Sequence, residues 1–291
     1  MLLYSGTLSL SMPVSSPLIN PKDIILGDAV SIIDARSGPD AFERYQANHL
    51  AGALHADLEK DLSVKPKDPA YGGRHPLPDA KDFARYLGKL GITPTTSVIV
   101  YDDKNGANAA ARFWWMLRAL GHEKVQVVDG GLEAIVRQGL PMTSAHQQPL
   151  SASPYPADGW KLPTVNIDDV KAAAKDPDSL VIDVREAYRY RGEKEPIDLV
   201  AGHIPGAINV PYVNNLSENG SFRPAGDLAS QYKEVIGLRD PSNVIVHCGS
   251  GVTACHTLLA LEQAGVKGAK LYVGSWSEWS RRDLPVGEGE F

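Results

Sequence analysis

Short runs of consecutive apolar, often β-branched residues recur along the chain and alternate with stretches in which apolar positions follow helical spacing. Runs typical of buried strands cover residues 31–36, 98–102, 180–185 and 244–248. Stretches that predict helices cover residues 80–90, 112–120, 227–236 and 253–264. The alternation predicts an α/β fold in which mostly parallel sheets carry helices on both faces.

The two halves of the chain repeat one pattern. Four pairs of segments match in the same order: 31–36 with 180–185, 49–53 with 203–207, 98–102 with 244–248, and 127–131 with 271–275. The separation of matched segments drifts from about 144 to about 154 residues, as a duplication followed by loop insertions and deletions would give. The repeat therefore predicts two tandem domains of one fold.

Composition suggests where the domains divide. Residues 146–160 are rich in Pro, Ser and Ala and lack apolar periodicity, so we expect a linker there, between a first domain over 20–145 and a second over 161–291. We expect residues 1–19 to form a loose tail. Met12 is an alternative start, which leaves open whether residues 1–11 belong to the native protein.

The overall composition narrows the class of function. A length of 291 residues suits two ordinary domains, and no apolar run approaches the roughly 20 residues that span a bilayer. A formal charge of -6 argues against a nucleic-acid partner. The only two cysteines, Cys248 and Cys255, exclude a disulfide scaffold and favour a reducing, cytoplasmic compartment. No His and Cys cluster has the spacing of a metal site, so we expect neither metal nor cofactor.

Cys248 is the candidate nucleophile. It ends a predicted strand and begins a short loop, with Gly249 and Gly251, that runs into a helix. Ligands of open α/β sheets bind at this edge, and the amides of such a loop favour a thiolate and would hold a persulfide sulfur. Ser250 and Thr253 add hydroxyl groups. The alternative is that Cys248 is a small core residue.

The matching position in the first half is Asp102. Its loop, residues 102–108, is about two residues longer than the loop after Cys248. Because a carboxyl group cannot carry transferable sulfur, we expect the first domain to be inactive and to supply one wall of a cleft between the domains.

These motifs, together with residues 276–279, resemble the tandem-domain rhodaneses and mercaptopyruvate sulfurtransferases from about residue 20 to 287. The loop Cys-Gly-Ser-Gly-Val-Thr at 248–253 is similar to the mercaptopyruvate type, whereas thiosulfate-preferring members carry cationic side chains just after the cysteine. The resemblance implies two rhodanese-like domains. It also implies transfer of sulfur from a small-molecule donor, 3-mercaptopyruvate, through a Cys248 persulfide to a thiol, thioredoxin-like or cyanide acceptor.

The resemblance also implies residue roles. Arg191, with Arg189 nearby, would contact the donor's carboxylate, and the remaining predicted substrate-binding positions are Gly249, Gly251, Val252 and Thr253. Where relatives often have Glu-Pro-Arg, this chain reads Glu195-Pro196-Ile197, which removes a second expected cation.

Mercaptopyruvate-type relatives imply a Ser, His and Asp relay that reaches from the first domain to the loop serine. Ser250 and His75 match the first two members. Asp61 is the prediction for the third, with Asp57 as the alternative.

Three other functions are alternatives to sulfur transfer from 3-mercaptopyruvate. Thiosulfate:cyanide sulfur transfer is the alternative of the same class. A cysteine phosphatase would need an arginine six residues after the cysteine, where this chain has Ala254. A non-enzymatic binding module would make Cys248 incidental.

Asp34 with Arg36, and Asp183 with Arg185, are expected to form structural pairs.

Overall fold

The computed structural model describes residues 16–27 and 30–289. The predicted tail lies largely outside this range, since residues 1–15 are not described. Its last two residues, Leu18–Ile19, form a strand that pairs with the first sheet, so the sheet begins before the predicted domain start at residue 20. A strand of two residues has too short a pattern to be read from the sequence.

The elements of the first half include the strands and helices that the apolar runs predict. Its strands are β1 (Leu18–Ile19), β2 (Val30–Asp34), β3 (His49–Leu50), β4 (Ala53–His55), β5 (Ser97–Tyr101), β6 (Val125–Val128) and β7 (Met142–Thr143). Its α-helices are α1 (Ala41–Ala47), α2 (Ala80–Lys89), α3 (Ala109–Ala119) and α4 (Gly131–Arg137).

The second half has the corresponding elements. Its strands are β8 (Thr164–Val165), β9 (Leu180–Asp183), β10 (Ile208–Asn209), β11 (Val244–His247) and β12 (Lys270–Tyr272). Its α-helices are α5 (Ile167–Ala173), α6 (Ala187–Tyr190), α7 (Ala225–Ile236), α8 (Ala254–Gln263) and α9 (Ser275–Trp279).

Each half forms a parallel sheet, and the two sheets share one topology. Among the residues described, the first sheet has the order β1-β6-β5-β2-β4 and the second, taken in the same sense, β8-β12-β11-β9-β10. All strand pairs in both sheets are parallel, while β3 and β7 form a small antiparallel pair. The fold is therefore a tandem repeat of one α/β unit, as the matched segments predict.

The halves pack against each other through equivalent helices. Helix α3 of the first half lies against α8 of the second, and one continuous cluster of buried apolar residues runs through both. Because α8 follows the Cys248 loop, this contact brings first-half side chains close to that loop. No helix in the described part of the chain has the length and apolar character needed to cross a bilayer.

The segment between the halves lies along the first half. Residues 144–163 contain no helix or strand. The backbone N–H groups of Ala152 and Tyr155 donate to the carbonyls of Gly88 (2.7 Å) and Ala84 (3.0 Å) on α2. These bonds tie the segment to α2, so it is a packed connection rather than a free one.

Candidate active site

Cys248 directly follows the last residue of β11, and its backbone is held by the start of α9. The Cys248 N–H donates to Ser275 Oγ (3.2 Å), and its carbonyl accepts from the Trp276 N–H (3.0 Å). The Gly249 carbonyl accepts from the Ser277 N–H (2.8 Å). Ser275 adopts a left-handed backbone with φ 53°, a conformation that costs energy for a residue with a side chain. These bonds fix where the Cys248 side chain leaves the strand.

The loop after Cys248 presents a run of free amide donors. Within the described residues, the backbone N–H groups of positions 249–254 donate to no protein acceptor. They lie at the N-terminus of α8, where the helix dipole adds partial positive charge. Buried N–H groups without a partner are costly, so this loop is built to receive an anion at the Cys248 sulfur.

The first half shows the same loop with the anion site filled by the chain itself. The buried carboxyl group of Asp102, at the position that matches Cys248, accepts from the backbone N–H groups of Lys104 (2.9 Å), Gly106 (2.8 Å), Asn108 (3.2 Å) and Ala110 (3.1 Å). Asp102 therefore occupies the amides that a persulfide would use at the other site.

Two glycines shape the Cys248 loop. Gly251 has φ +74°, and a Cβ there would lie 2.5 Å from the Val273 carbonyl oxygen, so no other residue fits without a backbone shift. A Cβ at Gly249 would lie 3.2 Å from Arg74 Nη2 and 3.4 Å from Arg189 Nη2. The space beside Gly249 is thus already taken by two guanidinium groups.

His75 connects Ser250 with a carboxylate. His75 Nδ1 lies 2.8 Å from Ser250 Oγ, and Nε2 lies 2.9 Å from Glu59 Oε1. Because a carboxylate only accepts, Nε2 carries the proton, and in the neutral ring Nδ1 accepts from the Ser250 hydroxyl. Burial lowers the pKa of His75 below its usual value, while the Glu59 carboxylate opposes this, so the ring is neutral near pH 7.

The carboxylate that contacts His75 is that of Glu59, and the predicted Asp61 makes no hydrogen bond to His75 in the described part of the chain. Asp61 Oδ2 instead accepts from the Asp57 N–H (2.9 Å), and burial raises the pKa of the Asp61 carboxyl. Asp57, the alternative, accepts from the Glu59 and Lys60 N–H groups. Both aspartates serve the turn that carries Glu59, and side-chain direction on such a turn cannot be read from spacing.

The two predicted arginines are separated by the end of α6. Arg189 is buried, lines the cavity that contains Cys248 and binds Glu195 (2.8 Å). Arg191 lies at the helix end, is partly exposed and pairs with Glu193 (2.6 Å). The structure therefore places Arg189, not Arg191, at the cavity, because two residues on one helical turn point in different directions.

The cavity that contains Cys248 has a volume of about 390 Å³ and lies between the halves. It is lined by Cys248, Gly249 and Thr253 of the predicted site, by Arg189, and by first-half residues that include Lys104 and Asn108. Its size suits a small metabolite. Val252 is buried behind the loop, and Ser250 is buried against His75.

Three first-half residues of the site were missed by sequence reasoning: Glu59, Arg74 and Arg112. The buried Arg112 guanidinium donates to the carbonyls of Gly251 (3.1 Å) and His75 (3.0 Å), and no carboxylate pairs with it among the described residues. It thereby joins the Cys248 loop to the His75 segment. Nothing in the sequence around Arg74 or Arg112 indicates these contacts, because they depend on how the two halves pack.

Both predicted Asp and Arg pairs form in the structure, and Arg185 also lines the Cys248 cavity. Asp183 and Arg185 form a buried ion pair (2.6 Å), as do Asp34 and Arg36 (2.6 Å). Cys255 is a free, buried thiol whose pKa burial raises to about 12, so it remains protonated.

Comparison with known proteins gives consistent matches along the chain. The family model described as "Rhodanese-like domain" matches residues 22–138 and again 166–282. The "Probable 3-mercaptopyruvate sulfurtransferase" of Pseudomonas aeruginosa is 38% identical over 292 residues, which cover 98% of this chain and 100% of that protein.

Two further matches differ in the donor that they name. The "Putative thiosulfate sulfurtransferase SseB" of Mycobacterium tuberculosis is 38% identical over 276 residues, 90% of this chain and 92% of that protein. The solved structure of "3-mercaptopyruvate sulfurtransferase from Leishmania major" superposes with a TM-score of 0.78 at 30% identity and covers 90% of this chain and 74% of that one.

Proposed function

This chain belongs to the rhodanese family, and on that premise we propose that it transfers sulfur from 3-mercaptopyruvate to a thiol or cyanide acceptor through a persulfide on Cys248. Its full-length relatives are named as sulfurtransferases, and the chain is an enzyme of that class. We propose the specific donor, the acceptor and the role of each residue.

One observation carries the mechanism: Cys248 is followed by amides 249–254 that donate to no protein acceptor in the described chain. In the first step the Cys248 thiolate attacks the donor's sulfur. A sulfur–sulfur bond forms, and the carbon–sulfur bond breaks with its electron pair left on carbon as the enolate of pyruvate. A proton then gives pyruvate, and the amides stabilise the charged persulfide that remains.

The second step returns the enzyme to its starting state. A nucleophilic acceptor attacks the outer sulfur, the sulfur–sulfur bond breaks, and its electron pair returns to Cys248 as the thiolate. A thiol acceptor leaves as a persulfide, and cyanide leaves as thiocyanate. Thioredoxin-like proteins and small thiols fit the same chemistry, and double displacement predicts ping-pong kinetics.

The relay supplies the proton of the first step. The Ser250 hydroxyl donates to neutral His75, whose other nitrogen donates to Glu59. The proton of the donor's thiol, taken up through Ser250 and His75 as sulfur departs, can pass to the enolate carbon, which is general acid catalysis and returns both residues to their starting state. Arg112 supports this step as a positioning residue, because it binds the backbone on both sides of the Ser250 and His75 pair.

The loop favours 3-mercaptopyruvate over thiosulfate. A cationic side chain at position 249 would attract the thiosulfate dianion, yet a Cβ there would lie within 3.4 Å of guanidinium nitrogens of Arg74 and Arg189. A larger side chain at this position would therefore have to displace these guanidinium groups or the Asp198 carboxylate that binds them. The neutral Gly249 and Ser250 leave room for a donor with one carboxylate and a ketone.

The same proposal gives the halves different tasks. Residues 161–289 form the catalytic domain and the first half a non-catalytic one that contributes Glu59, His75 and Arg112, with 146–160 as the connection. We assign the enzyme to the reducing cytoplasm because its two cysteines are free and buried.

The direct test is mass spectrometry of the enzyme after incubation with 3-mercaptopyruvate and no acceptor. The proposal expects one added sulfur atom per chain, on the peptide that contains Cys248, and its loss on addition of cyanide. The Cys255→Ser variant is the matched control and should gain the same sulfur. Sulfur on Cys255, or none on Cys248, would contradict the proposal.

A further inference from the structure

The positively charged side chains around the Cys248 cavity differ in whether they bind carboxylates. Arg185 binds Asp183 (2.6 Å) and Glu195 (3.2 Å). Arg189 binds Glu195 (2.8 Å) and lies near Glu186 (3.4 Å). Both guanidinium groups are thus neutralised by buried or half-buried carboxylates, which leaves them little net charge for an incoming anion.

Two further arginines share one carboxylate, so the charges balance only when all four arginines are counted with their four carboxylates. Arg74 binds Asp198 (3.0 Å), and Arg281 binds the same carboxylate (3.2 Å). Arg189 reaches the other oxygen of Asp198 (3.5 Å). These groups form one buried network that holds the walls together.

Lys104 differs from all of them. It is exposed, it lines the cavity together with Cys248, and within the described chain its ammonium group forms no ion pair and no hydrogen bond. Its backbone is fixed, because its N–H donates to Asp102 Oδ1 (2.9 Å) and its carbonyl accepts from the Ala107 N–H (2.9 Å). The longer first-half loop around Asp102 therefore presents an uncompensated cation to the catalytic cavity.

We propose that Lys104, supplied by the non-catalytic domain, binds the carboxylate of the sulfur donor and so determines donor specificity. This inference rests on the proposed function. In the second half, Ile197 is 55% exposed and lines the same cavity, so the second half offers an apolar side chain at this position. An ammonium group on a flexible stem can meet a small carboxylate in a charge-assisted hydrogen bond.

The test combines enzyme and donor variants. We would measure kcat and KM for 3-mercaptopyruvate and for its methyl ester, which lacks the carboxylate charge, on wild type, Lys104→Met and Lys104→Arg. We expect Lys104→Met to raise KM for the acid about tenfold, or about 1.4 kcal/mol, with kcat within about twofold. For the ester the same substitution should change KM less than about twofold.

The matched control is Lys267→Met, an exposed lysine outside the cavity, which should leave both donors unchanged. Lys104→Arg should retain KM within about threefold, since the charge remains. An unchanged KM for the acid in Lys104→Met, or equal losses for acid and ester, overturns the inference.

A second variant places a cation in the second half of the chain instead. In the Lys104→Met background, Ile197→Arg should restore much of the lost affinity for the acid and none for the ester. Failure to do so would mean that shape rather than charge explains the Lys104→Met effect. If wild type does not turn over 3-mercaptopyruvate at all, the proposed function fails; if wild type does and Lys104→Met matches it, only this inference fails.

Discussion

His75 joins the two domains of the active site through its two ring nitrogens. Nδ1 meets Ser250 of the catalytic loop and Nε2 meets Glu59 of the first domain, whose side chain is 69% exposed. Burial sets the lowered pKa of His75, and the exposed carboxylate only partly opposes it. The ring must be neutral to accept from Ser250, so its pKa should set the acidic limit of activity.

This predicts a pH effect of Glu59→Gln. Because Glu59 raises the pKa of His75, its removal lowers that pKa further, and the acidic limb of kcat/KM should move to lower pH. The measurement is kcat/KM for 3-mercaptopyruvate between about pH 5 and pH 9. Asp61→Asn, which touches the turn but not His75, should leave the limb in place. A shift of the acidic limb in Asp61→Asn, with none in Glu59→Gln, would indicate that Asp61 rather than Glu59 is the relay carboxylate.

At the scale of elements, the two strand-loop-helix units show two ways to satisfy the same amides. After β11 the loop amides have no acceptor among the described residues and can bind an anion on the Cys248 sulfur. After β5 four amides donate to the carboxyl group of Asp102. The loop after β5 is therefore held by its own side chain, and its stability depends on the carboxyl group of Asp102.

Asp102→Ala should lower the free energy of unfolding by about 3 kcal/mol, because it leaves several buried N–H groups without an acceptor. Chemical denaturation of wild type, Asp102→Ala and a control variant measures the difference in the free energy of unfolding. Asp103→Ala is the control on the same loop: it removes the partly exposed pair with Arg44 and should cost less than about 1 kcal/mol. Equal losses in the two variants would show that the Asp102 amide bonds contribute no special stability.

Elements of the fold were predictable where the signal is local. The apolar runs gave β5, β9 and β11, and the repeat gave the equivalent topology of both sheets. Arg189 and Arg191 could not be separated, because α6 is a single turn and carries no periodicity. Glu59 and Asp61 lie on a turn, where the direction of each side chain depends on tertiary contacts.

At the scale of the whole molecule, the first domain has Asp102 at the position that matches Cys248, yet it supplies side chains to the site. It contributes three side chains for which we propose roles in catalysis: Glu59 and His75 in the relay, and Arg112, which holds the Cys248 loop. Arg112 lies on α3, which packs against α8, whereas the segment just before His75 contacts α9. Residues of both halves therefore meet at the Cys248 loop.

The most direct test is the steady-state rate of sulfur transfer to cyanide from 3-mercaptopyruvate and from thiosulfate, on wild type and Cys248→Ser in parallel. We predict that kcat/KM for 3-mercaptopyruvate exceeds that for thiosulfate at least about tenfold, or about 1.4 kcal/mol, and that Cys248→Ser transfers sulfur from neither. Preference for thiosulfate would contradict the donor assignment, and transfer by Cys248→Ser would contradict the persulfide mechanism.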